Sequence, residues 1–313
     1  MKNANNKRII DGVLLLDKPK GISSNSALQK IKKLYSAEKA GHTGALDPLA
    51  TGVLPICLGE ATKYSSFLLE SDKKYKVKAQ LGIRTTTSDA DGDIVDIRNI
   101  DITIDNLKKA IYSFVGKQKQ MPSIFSALKF EGKPLYYYAR KNISVPRKIR
   151  DIHVFSIDIN EIDLPYIDLS IHCSKGTYIR TIIDDLGEKL ECGAHVVELR
   201  RTGINDLEID EALSLEDIEK QFQEKNDLND IDKFLKPLDT LLSKLDVLNL
   251  PEHLSEKFLH GQKINLDQLE DRKDLLHDLE LYRVYNEANF DLLGVASINN
   301  NIIIPKRVRK NRD

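Results

Sequence analysis

The chain has 313 residues, of which 41% are hydrophobic and 30% are charged, and its net charge is −1. This length predicts two domains, or one large domain with a small appendage, and the apolar content is enough for a core. No apolar run approaches the roughly 20 residues that span a bilayer, and the polar residues 1–6 lack the apolar region of a signal peptide, so we expect a cytoplasmic protein.

The first predicted elements are a strand and an amphipathic helix. The apolar run 12–16 predicts a buried strand, which ends at the turn-forming residues 17–21. Either serine at 23–24 can cap the helix that follows, because apolar residues recur at helical spacing over 27–34.

The segment 41–55 (GHTGALDPLATGVLP) contains three glycines and two prolines, and Asp47, directly before Pro48, is its one acidic residue. It has too many helix breakers for a helix and is too apolar for a solvated linker. The pattern predicts an ordered, partly buried loop that holds one carboxylate in place. Loops of this kind, mounted on a rigid scaffold, often carry chemistry.

Strands and helices alternate in the rest of the chain. Residues 73–82 alternate between apolar side chains, with Tyr75 among them, and lysines, which predicts a half-buried strand. Beyond about residue 248, short apolar runs between turn residues predict a small β domain. The other strands are predicted at 53–58, 154–159, 167–173 and 196–204, and the other helices at 60–69, 107–114, 136–141, 178–190 and 213–223.

The small net charge hides a strong asymmetry along the chain. Residues 1–80 carry 14 Lys and Arg against 7 Asp and Glu, whereas residues 201–250 carry 6 against 13. The segment 129–150, called the basic segment below, carries 7 basic residues against Glu131 alone. A polyanion can therefore bind one face of the protein. Ordinary surface charge explains the same pattern, and charge alone does not decide between the two.

The chain contains none of the usual cofactor or metal motifs. It has no glycine-rich phosphate loop and no dinucleotide fingerprint, and its seven histidines are scattered. The residues 89–92 are better explained as a tight turn than as a calcium loop, because the acidic ligand pattern does not continue. The odd number and wide spacing of Cys57, Cys173 and Cys192 indicate small buried side chains rather than disulfides. We expect neither a metal nor an organic cofactor.

Several motifs together resemble the bacterial tRNA pseudouridine synthase B (TruB) family, whose members isomerise uridine 55 in the T loop of tRNA. The segment 41–55 resembles the family's signature, and the resemblance is strong over residues 10–205. It is looser over the C-terminal part, where the family has a small PUA-like RNA-binding domain. The other matching segments, in the family's order, are 17–24 (DKPKGISS), 58–63 (LGEATK), 73–75 (KKY), 85–92 (TTTSDADG), 174–180 (SKGTYIR) and 199–203 (LRRTG).

The resemblance implies an α+β protein in two parts. Residues 1–247 would form the catalytic domain, a pseudouridine synthase fold with a mixed, mostly antiparallel central sheet, and the basic segment would be an RNA-binding insertion. Residues 248–313 would form the PUA-like domain. The implied activity is cofactor-free isomerisation of uridine 55 by base flipping, by a monomer that acts on the tRNA T-stem loop without a guide RNA.

The resemblance also implies which residues form the site. Asp47 matches the catalytic aspartate, which attacks the base, attacks the ribose or deprotonates the sugar; the sequence leaves these three roles open. Arg180 resembles the arginine that pairs with this aspartate. Tyr75 matches a tyrosine that stacks on the flipped uracil and takes part in proton transfer at C5.

Five further residues match substrate-binding positions. Tyr178 and Leu199 would wall the base pocket, although core packing is the usual role of such side chains. His42 would support the RNA around the flipped base, although a lone histidine is more often structural. Lys18 and Lys63 would serve the loop or the RNA backbone.

Two other functions are compatible with parts of the sequence. One is an RNA-binding or tRNA-folding module whose catalysis is incidental or lost, and the joint presence of Asp47, Tyr75 and Arg180 argues against it. The other is a guide-RNA-dependent relative, against which the short C-terminal part and the basic segment argue. The tyrosines of the basic segment either stack on exposed bases or lie half buried on a solvated helix. The acidic residues 201–250 have no functional explanation beyond keeping RNA on the other side.

Overall fold

The computed structural model describes residues 7–225, 228–269 and 280–310, so residues 1–6, which entered the signal-peptide argument, lie outside it. The strands are β1 (Gly12–Lys18), β2 (Ala40–His42), β3 (Thr51–Leu58), β4 (Lys73–Leu81), β5 (Ile83–Thr85), β6 (Ile94–Ile97), β7 (Gly116–Gln120), β8 (Lys129–Phe130), β9 (Lys133–Pro134), β10 (Arg150–Asp163), β11 (Tyr166–Cys173), β12 (Ala194–Ile204), β13 (Leu207–Glu208), β14 (Leu213–Ser214), β15 (Asp246–Leu250), β16 (Ile264–Asn265), β17 (Leu281–Asn286), β18 (Leu292–Asn299) and β19 (Ile302–Val308). The α-helices are α1 (Ser24–Leu34), α2 (Ser65–Leu69), α3 (Ile104–Tyr112), α4 (Leu135–Ala139), α5 (Ile179–Lys189), α6 (Leu215–Lys225), α7 (Leu228–Asp232) and α8 (Glu252–Leu259).

One large mixed sheet forms the body of the protein. Its strand order is β14-β1-β3-β12-β4-β11-β10-β7, with β2 added to β3 and β13 added to β12. The pairs β1–β14 and β3–β12 are parallel, and the other neighbouring pairs in this sheet are antiparallel. The predicted α+β class with a mixed, mostly antiparallel central sheet is therefore confirmed.

The sequence of β1 is a continuous apolar run because both faces of this strand are buried. Leu14 and Leu16 face a first core, which also contains side chains of α1, α3 and α5. Val13 and Leu15 face a second core on the opposite side of the sheet. A strand that is covered on both sides has no polar face, so its sequence shows no alternation.

The strand β4, in contrast, is covered on one face. Val77, Ala79 and Leu81 are buried, while Lys74 and Lys76 on the other face are not. This confirms the predicted half-buried strand. The strand lies between β12 and β11, in the middle of the sheet, and its buried face packs into the first core.

Two serines at the start of α1 have separate tasks. Ser23 caps the helix, because its side chain accepts a hydrogen bond from the backbone N–H of Ser26 at 3.1 Å. The hydroxyl of Ser24 accepts from the N–H of Leu46 at 2.7 Å and lies 3.1 Å from the carbonyl oxygen of Leu46, to which it donates. The two contacts between Ser24 and Leu46 connect α1 to the loop that carries Asp47.

The predicted helix at 60–69 is wrong in its continuity. The segment forms a 3₁₀ helix, Gly59–Lys63, and then the short helix α2. Thr62 donates its hydroxyl to the carbonyl of Gly59 at 2.7 Å, and Ser65 donates to the carbonyl of Thr62 at 2.9 Å. Such local side-chain bonds compete with the regular helical ladder, which explains the break.

The C-terminal part forms a second sheet, as predicted, and it also contains the helix α8, which the sequence analysis did not predict. The strand order is β15-β17-β18-β19-β16, and a third core fills the space between this sheet and α8. Leu292 and Val295 of β18 pack into the second core, and Tyr285 donates to Asp239 at 2.7 Å. The sheet begins at Asp246, while the predicted domain boundary after residue 247 stays a prediction.

The described ranges contain no helix that combines the length and the apolar character needed to cross a membrane. The cysteines Cys57, Cys173 and Cys192 are buried and free, which confirms the prediction for all three.

Candidate active site

A cavity of about 250 Å³ lies where the loop 41–55, β4, β12 and the start of α5 meet. It opens next to the end of α2 and next to the residues that precede the basic segment. Its lining includes Asp47, Tyr75, Tyr178, Arg180, Leu199 and Arg201. The fold thus gathers five of the eight residues that the sequence analysis selected into one cavity.

The centre of the cavity is an ion pair between Asp47 and Arg180. The Nε of Arg180 lies 2.9 Å from Oδ2 of Asp47, and its Nη1 lies 3.3 Å from Oδ2 of Asp89. The same guanidinium donates to the backbone carbonyls of Thr87 and Phe125, each at 2.9 Å. With four acceptors around a side chain that is 5% exposed, Arg180 has one orientation, and it fixes the direction of Asp47.

Asp47 is exposed towards the cavity but shielded from bulk water. Its side chain is 40% exposed, yet the surrounding protein raises the pKa of the carboxyl by burial. Arg180 opposes this shift by its charge and hydrogen bond, Asp89 adds to it, and Lys18 weakly opposes it. The ionised form of Asp47 therefore depends on Arg180.

Asp89 is a site residue that sequence reasoning missed. The tight turn predicted at 89–92 is present, but it also buries this carboxylate, which is 4% exposed. Asp89 Oδ1 accepts from the hydroxyl of Thr87 at 2.5 Å and from the N–H of Asp91 at 3.2 Å. In the sequence, Asp89 could have been found by its position inside the matching segment 85–92, which begins with three threonines.

Three further side chains wall the cavity. Tyr75 on β4 is half-buried, and burial raises its pKa to about 12. Leu199 on β12 is buried and apolar. Tyr178 stands just before α5, and Gln120 fixes its backbone by accepting from its N–H at 2.8 Å and donating to its carbonyl at 3.0 Å. Aromatic and apolar walls of this kind suit a flat, uncharged ring.

Arg201 is the second residue that sequence reasoning missed. It is 1% exposed, and it donates from Nε to the carbonyl of Val53 at 2.7 Å and from Nη2 to the carbonyl of Gly44 at 3.1 Å. Arg201 on β12 also pairs in register with Tyr75 on β4, so the two side chains lie next to each other on the same face of the sheet. Arg201 thereby holds both ends of the loop 41–55 against β4.

The glycines of the loop 41–55 have specific roles in this arrangement. Gly52 has φ of +105°, and a Cβ there would lie 2.1 Å from the carbonyl oxygen of Arg201. Gly44 has φ of +76°, and a Cβ there would lie 3.4 Å from the Arg201 guanidinium. The sequence predicted a rigid loop from its breakers, and the structure shows that Gly52 permits the close approach of β3 to β12.

Lys18 and Lys73 are buried lysines near the cavity. Lys18 is 0% exposed and donates to the carbonyls of Pro19 and Ile22, both at 2.8 Å, so it supports the turn after β1 and does not line the cavity. Lys73, which the sequence analysis did not select, does line the cavity. Burial lowers the pKa of each lysine to about 8, and the charge of Asp47 partly opposes the shift at Lys18.

The structure places His42 and Lys63 away from the cavity lining. His42 lies on β2, where burial and then the charge of Arg201 lower its pKa, and its buried Nδ1 has no hydrogen-bond partner among the described residues. Lys63 donates to Glu60 at 2.5 Å and lines a separate cleft with C-terminal residues, including Lys310.

The basic segment forms the β8–β9 hairpin and α4 and is largely exposed. The ammonium groups of Lys133 and Lys141 lie 4.7 and 4.6 Å from the ring centre of Tyr137. Tyr138, in contrast, donates its hydroxyl to a backbone carbonyl within the segment at 3.0 Å. Of these two tyrosines, Tyr137 is held among cations and Tyr138 supports the local fold.

Family models match most of the chain in three consecutive parts. Residues 32–179 match the TruB family pseudouridylate synthase N-terminal domain. Residues 180–243 match the tRNA pseudouridylate synthase B C-terminal domain, and residues 247–308 match the pseudouridine synthase II TruB C-terminal model.

Relatives from several bacteria are similar over nearly the whole length. The tRNA pseudouridine synthase B of Vibrio vulnificus is 53% identical over 264 residues, which are 83% of this chain and 84% of the relative. That of Mannheimia succiniciproducens is 49% identical over 302 residues, 96% of each chain. That of Photobacterium profundum is 47% identical over 313 residues, 97% of this chain and 96% of the relative.

Solved structures share the fold at lower sequence identity. A structure described as a Cbf5-Nop10-Gar1 complex superposes with a TM-score of 0.72 at 24% identity, covering 96% of this chain and 84% of that chain. An H/ACA RNP bound to a substrate RNA containing 2'-deoxyuridine gives 0.72 at 22% identity, covering 96% and 86%. This likeness identifies the fold.

Proposed function

The chain belongs to the TruB family and is an isomerase that forms pseudouridine in tRNA, and we propose that its target is uridine 55 of the T loop, which is flipped into the Asp47 cavity. The reaction detaches the base at N1, turns it and rejoins it to the ribose through C5. No group leaves and no electrons are transferred overall. The chemistry therefore needs a placed carboxylate and a closed pocket, and we expect no cofactor to take part.

The observation that carries this proposal is the geometry of Asp47. Arg180 holds Oδ2 of Asp47, which leaves Oδ1 to act on the nucleotide, and Arg180 is itself fixed by Asp89 and two carbonyls. The Asp47 carboxyl group can act as a nucleophile or base only while it is ionised, and Arg180 favours the ionised form. The arrangement supports each of the three roles, attack on the base, attack on the ribose or deprotonation of the sugar.

The cavity walls would bind the extruded uracil. Unstacking a base costs a few kcal/mol, and stacking on an aromatic wall offsets part of that cost. Tyr75 and Tyr178 supply aromatic walls, and Leu199 supplies an apolar one. His42, on the strand that leads into the loop 41–55, would contact RNA beside the flipped nucleotide.

Two cationic surfaces outside the cavity would bind the rest of the tRNA. The basic segment provides lysines and Tyr137, and the cleft of Lys63 and Lys310 provides cations near the ends of α8 and β19. We propose that the protein acts as a monomer in the cytoplasm and recognises tRNA without a guide RNA. The name of its bacterial relatives, tRNA pseudouridine synthase B, supports tRNA as the substrate.

The test is pseudouridine mapping on an unmodified tRNA transcript incubated without metal or nucleotide. We expect product at position 55 in the wild-type reaction, and none on a transcript with cytidine at that position. Asp47→Asn should abolish product while tRNA binding stays within about threefold of wild type, because the cavity keeps its shape. Product at another uridine, or turnover by Asp47→Asn, would overturn the proposal.

A further inference from the structure

We propose that Arg201 is a positioning residue for Tyr75: its buried guanidinium turns the Tyr75 hydroxyl towards the cavity and stabilises the phenolate that accepts the C5 proton of the rejoined base. This inference rests on the proposed function and adds a residue to it. It gives Arg201 a chemical task beyond holding the loop.

The sheet register sets the two side chains against each other. Arg201 on β12 pairs directly with Tyr75 on β4 and, on its other side, with Gly52 on β3. The absence of a side chain at Gly52 lets β3 approach the backbone of Arg201 closely. Strands that are packed this tightly leave the guanidinium, 1% exposed, little freedom to move away from Tyr75.

The donors of the Arg201 guanidinium constrain the direction of the Tyr75 hydroxyl. Nε and Nη2 of Arg201 donate to the carbonyls of Val53 and Gly44, and the strand register places the Arg201 side chain beside that of Tyr75. A guanidinium has donors only, so in a hydrogen bond between the two side chains the phenol oxygen of Tyr75 is the acceptor. Such a bond would turn the hydroxyl hydrogen of Tyr75 away from Arg201 and towards the cavity that both residues line.

Arg201 also carries a positive charge that no carboxylate of the described residues pairs with. A buried charge without a counter-ion is costly, and a negative charge that forms beside it offsets part of this cost. The phenol of Tyr75, the register partner of Arg201, can supply that charge. Burial lowers the pKa of Arg201, and Tyr75 partly offsets this shift.

The other charged groups around this pair oppose or leave unchanged the ionisation of Tyr75. Burial raises the pKa of Tyr75 to about 12, Arg201 lowers it, and Asp47 and Cys173 raise it. The charge of Arg201 also lowers the pKa values of three cationic or neutral bases, namely Lys18, His42 and Lys73. Arg201 is therefore the cation that acts on the phenol.

The proton transfer leaves the total number of protons on the base unchanged. Tyr75 loses its hydroxyl proton to solvent and becomes a phenolate. After the base has rejoined through C5, the C5–H bond breaks, its electron pair restores the C5–C6 double bond, and the phenolate takes the proton. N1 of the detached base takes up one proton from solvent, so C5 loses one proton and N1 gains one.

The experiment measures the single-turnover rate of pseudouridine formation against pH for wild type and Arg201→Lys. Arg200→Lys is the matched control, because Arg200 lies next to Arg201 but pairs with Asp17 at 2.6 Å. We expect the rate of Arg201→Lys to fall roughly 10- to 100-fold, the size of one charge-assisted hydrogen bond, and its rising limb to move to higher pH. Arg200→Lys should keep the wild-type profile.

Fluorotyrosine at position 75 separates proton transfer from loop positioning. Fluorination lowers the pKa of the phenol, so it should restore most of the rate lost in Arg201→Lys. An equal loss with tyrosine and fluorotyrosine would mean that Arg201 only holds the loop and would refute the inference. Should Arg201→Lys melt before the assay temperature, the fluorotyrosine protein with Arg201 intact decides, because the inference requires its rising limb to move to lower pH.

The two proposals can fail separately. A wild-type protein that forms no pseudouridine at position 55 contradicts the proposed function. A wild-type protein that does, with Arg201→Lys behaving like Arg200→Lys, contradicts this inference alone.

Discussion

Replacing Arg180 by methionine would test the electrostatics of the site most directly. The guanidinium neutralises two carboxylates, Asp47 at 2.9 Å and Asp89 at 3.3 Å. The Asp89 side chain is 6% exposed, so its charge is stranded when Arg180 is removed, whereas Asp47, 40% exposed, retains some solvation. The cost is therefore dominated by Asp89.

The expected loss of stability follows from that burial. Breaking a buried pair by removing one partner costs about 3–5 kcal/mol, and the partial exposure of Asp47 favours the lower end. At ~2–4 °C per kcal/mol for a chain of this size, we expect Arg180→Met to melt about 6–12 °C below wild type. The control is Arg84→Met: the Arg84 side chain is 37% exposed and pairs with Asp184, so its loss should cost only ~0–1 kcal/mol.

Arg180→Met should also lose activity while it is still folded, because Arg180 keeps Asp47 ionised. Without Arg180, the pKa of Asp47 rises further, so the rate should recover partly as the pH is raised. We expect a loss of at least about 100-fold in the single-turnover rate at neutral pH, equal to ~2.7 kcal/mol in the barrier.

The decisive variant is the double substitution Arg180→Met with Asp89→Asn. Removing the stranded carboxylate should raise the melting temperature above that of Arg180→Met without restoring activity. A double variant that melts lower than Arg180→Met, or a single variant within about threefold of the wild-type rate, would refute this account of the ion-pair network.

Three other outcomes are expected. Gly52→Ala should lower the free energy of urea unfolding by about 3 kcal/mol or more, because the new Cβ would lie 2.1 Å from the β12 backbone. The control Gly132→Ala has open space around its Cβ and should cost ~1 kcal/mol, from its positive φ alone. Equal costs for the two variants would contradict the close approach of β3 to β12. Burial raises the pKa of Asp47, so the folded protein favours the protonated carboxyl. The resulting contribution of Asp47 to stability is fully present below the usual carboxyl pKa of 3.8 and is lost as pH rises through the raised pKa. Asp47→Asn should therefore melt higher than wild type at pH 8 but not at pH 3, and the same difference at both would argue against a buried charge. Binding of tRNA should weaken steeply with salt, and removing Lys133 or Lys141 should each reduce the log–log slope by about 1; unchanged slopes would remove the basic segment from the RNA interface.

The sequence by itself determined the local features of this protein. The alternation in β4 reports which face of the strand is buried, and the continuous apolar run of β1 reports burial on both faces. The breakers in the loop 41–55 indicate an ordered loop around Asp47. These properties depend on near neighbours in the chain, so a reader of the sequence can recover them. The motifs, taken in order, added the family and with it the fold.

Only the tertiary structure decided which distant residues meet. The register between β4 and β12 sets Arg201 against Tyr75, and the turn after β5 brings Asp89 to Arg180. The same packing places Lys63 in the C-terminal cleft, although its segment, like that of Arg180, is one of those that match the family. The reason is physical: periodicity shows that a side chain is buried, but the partner that balances a buried charge is set by the packing of strands and loops far apart in the chain.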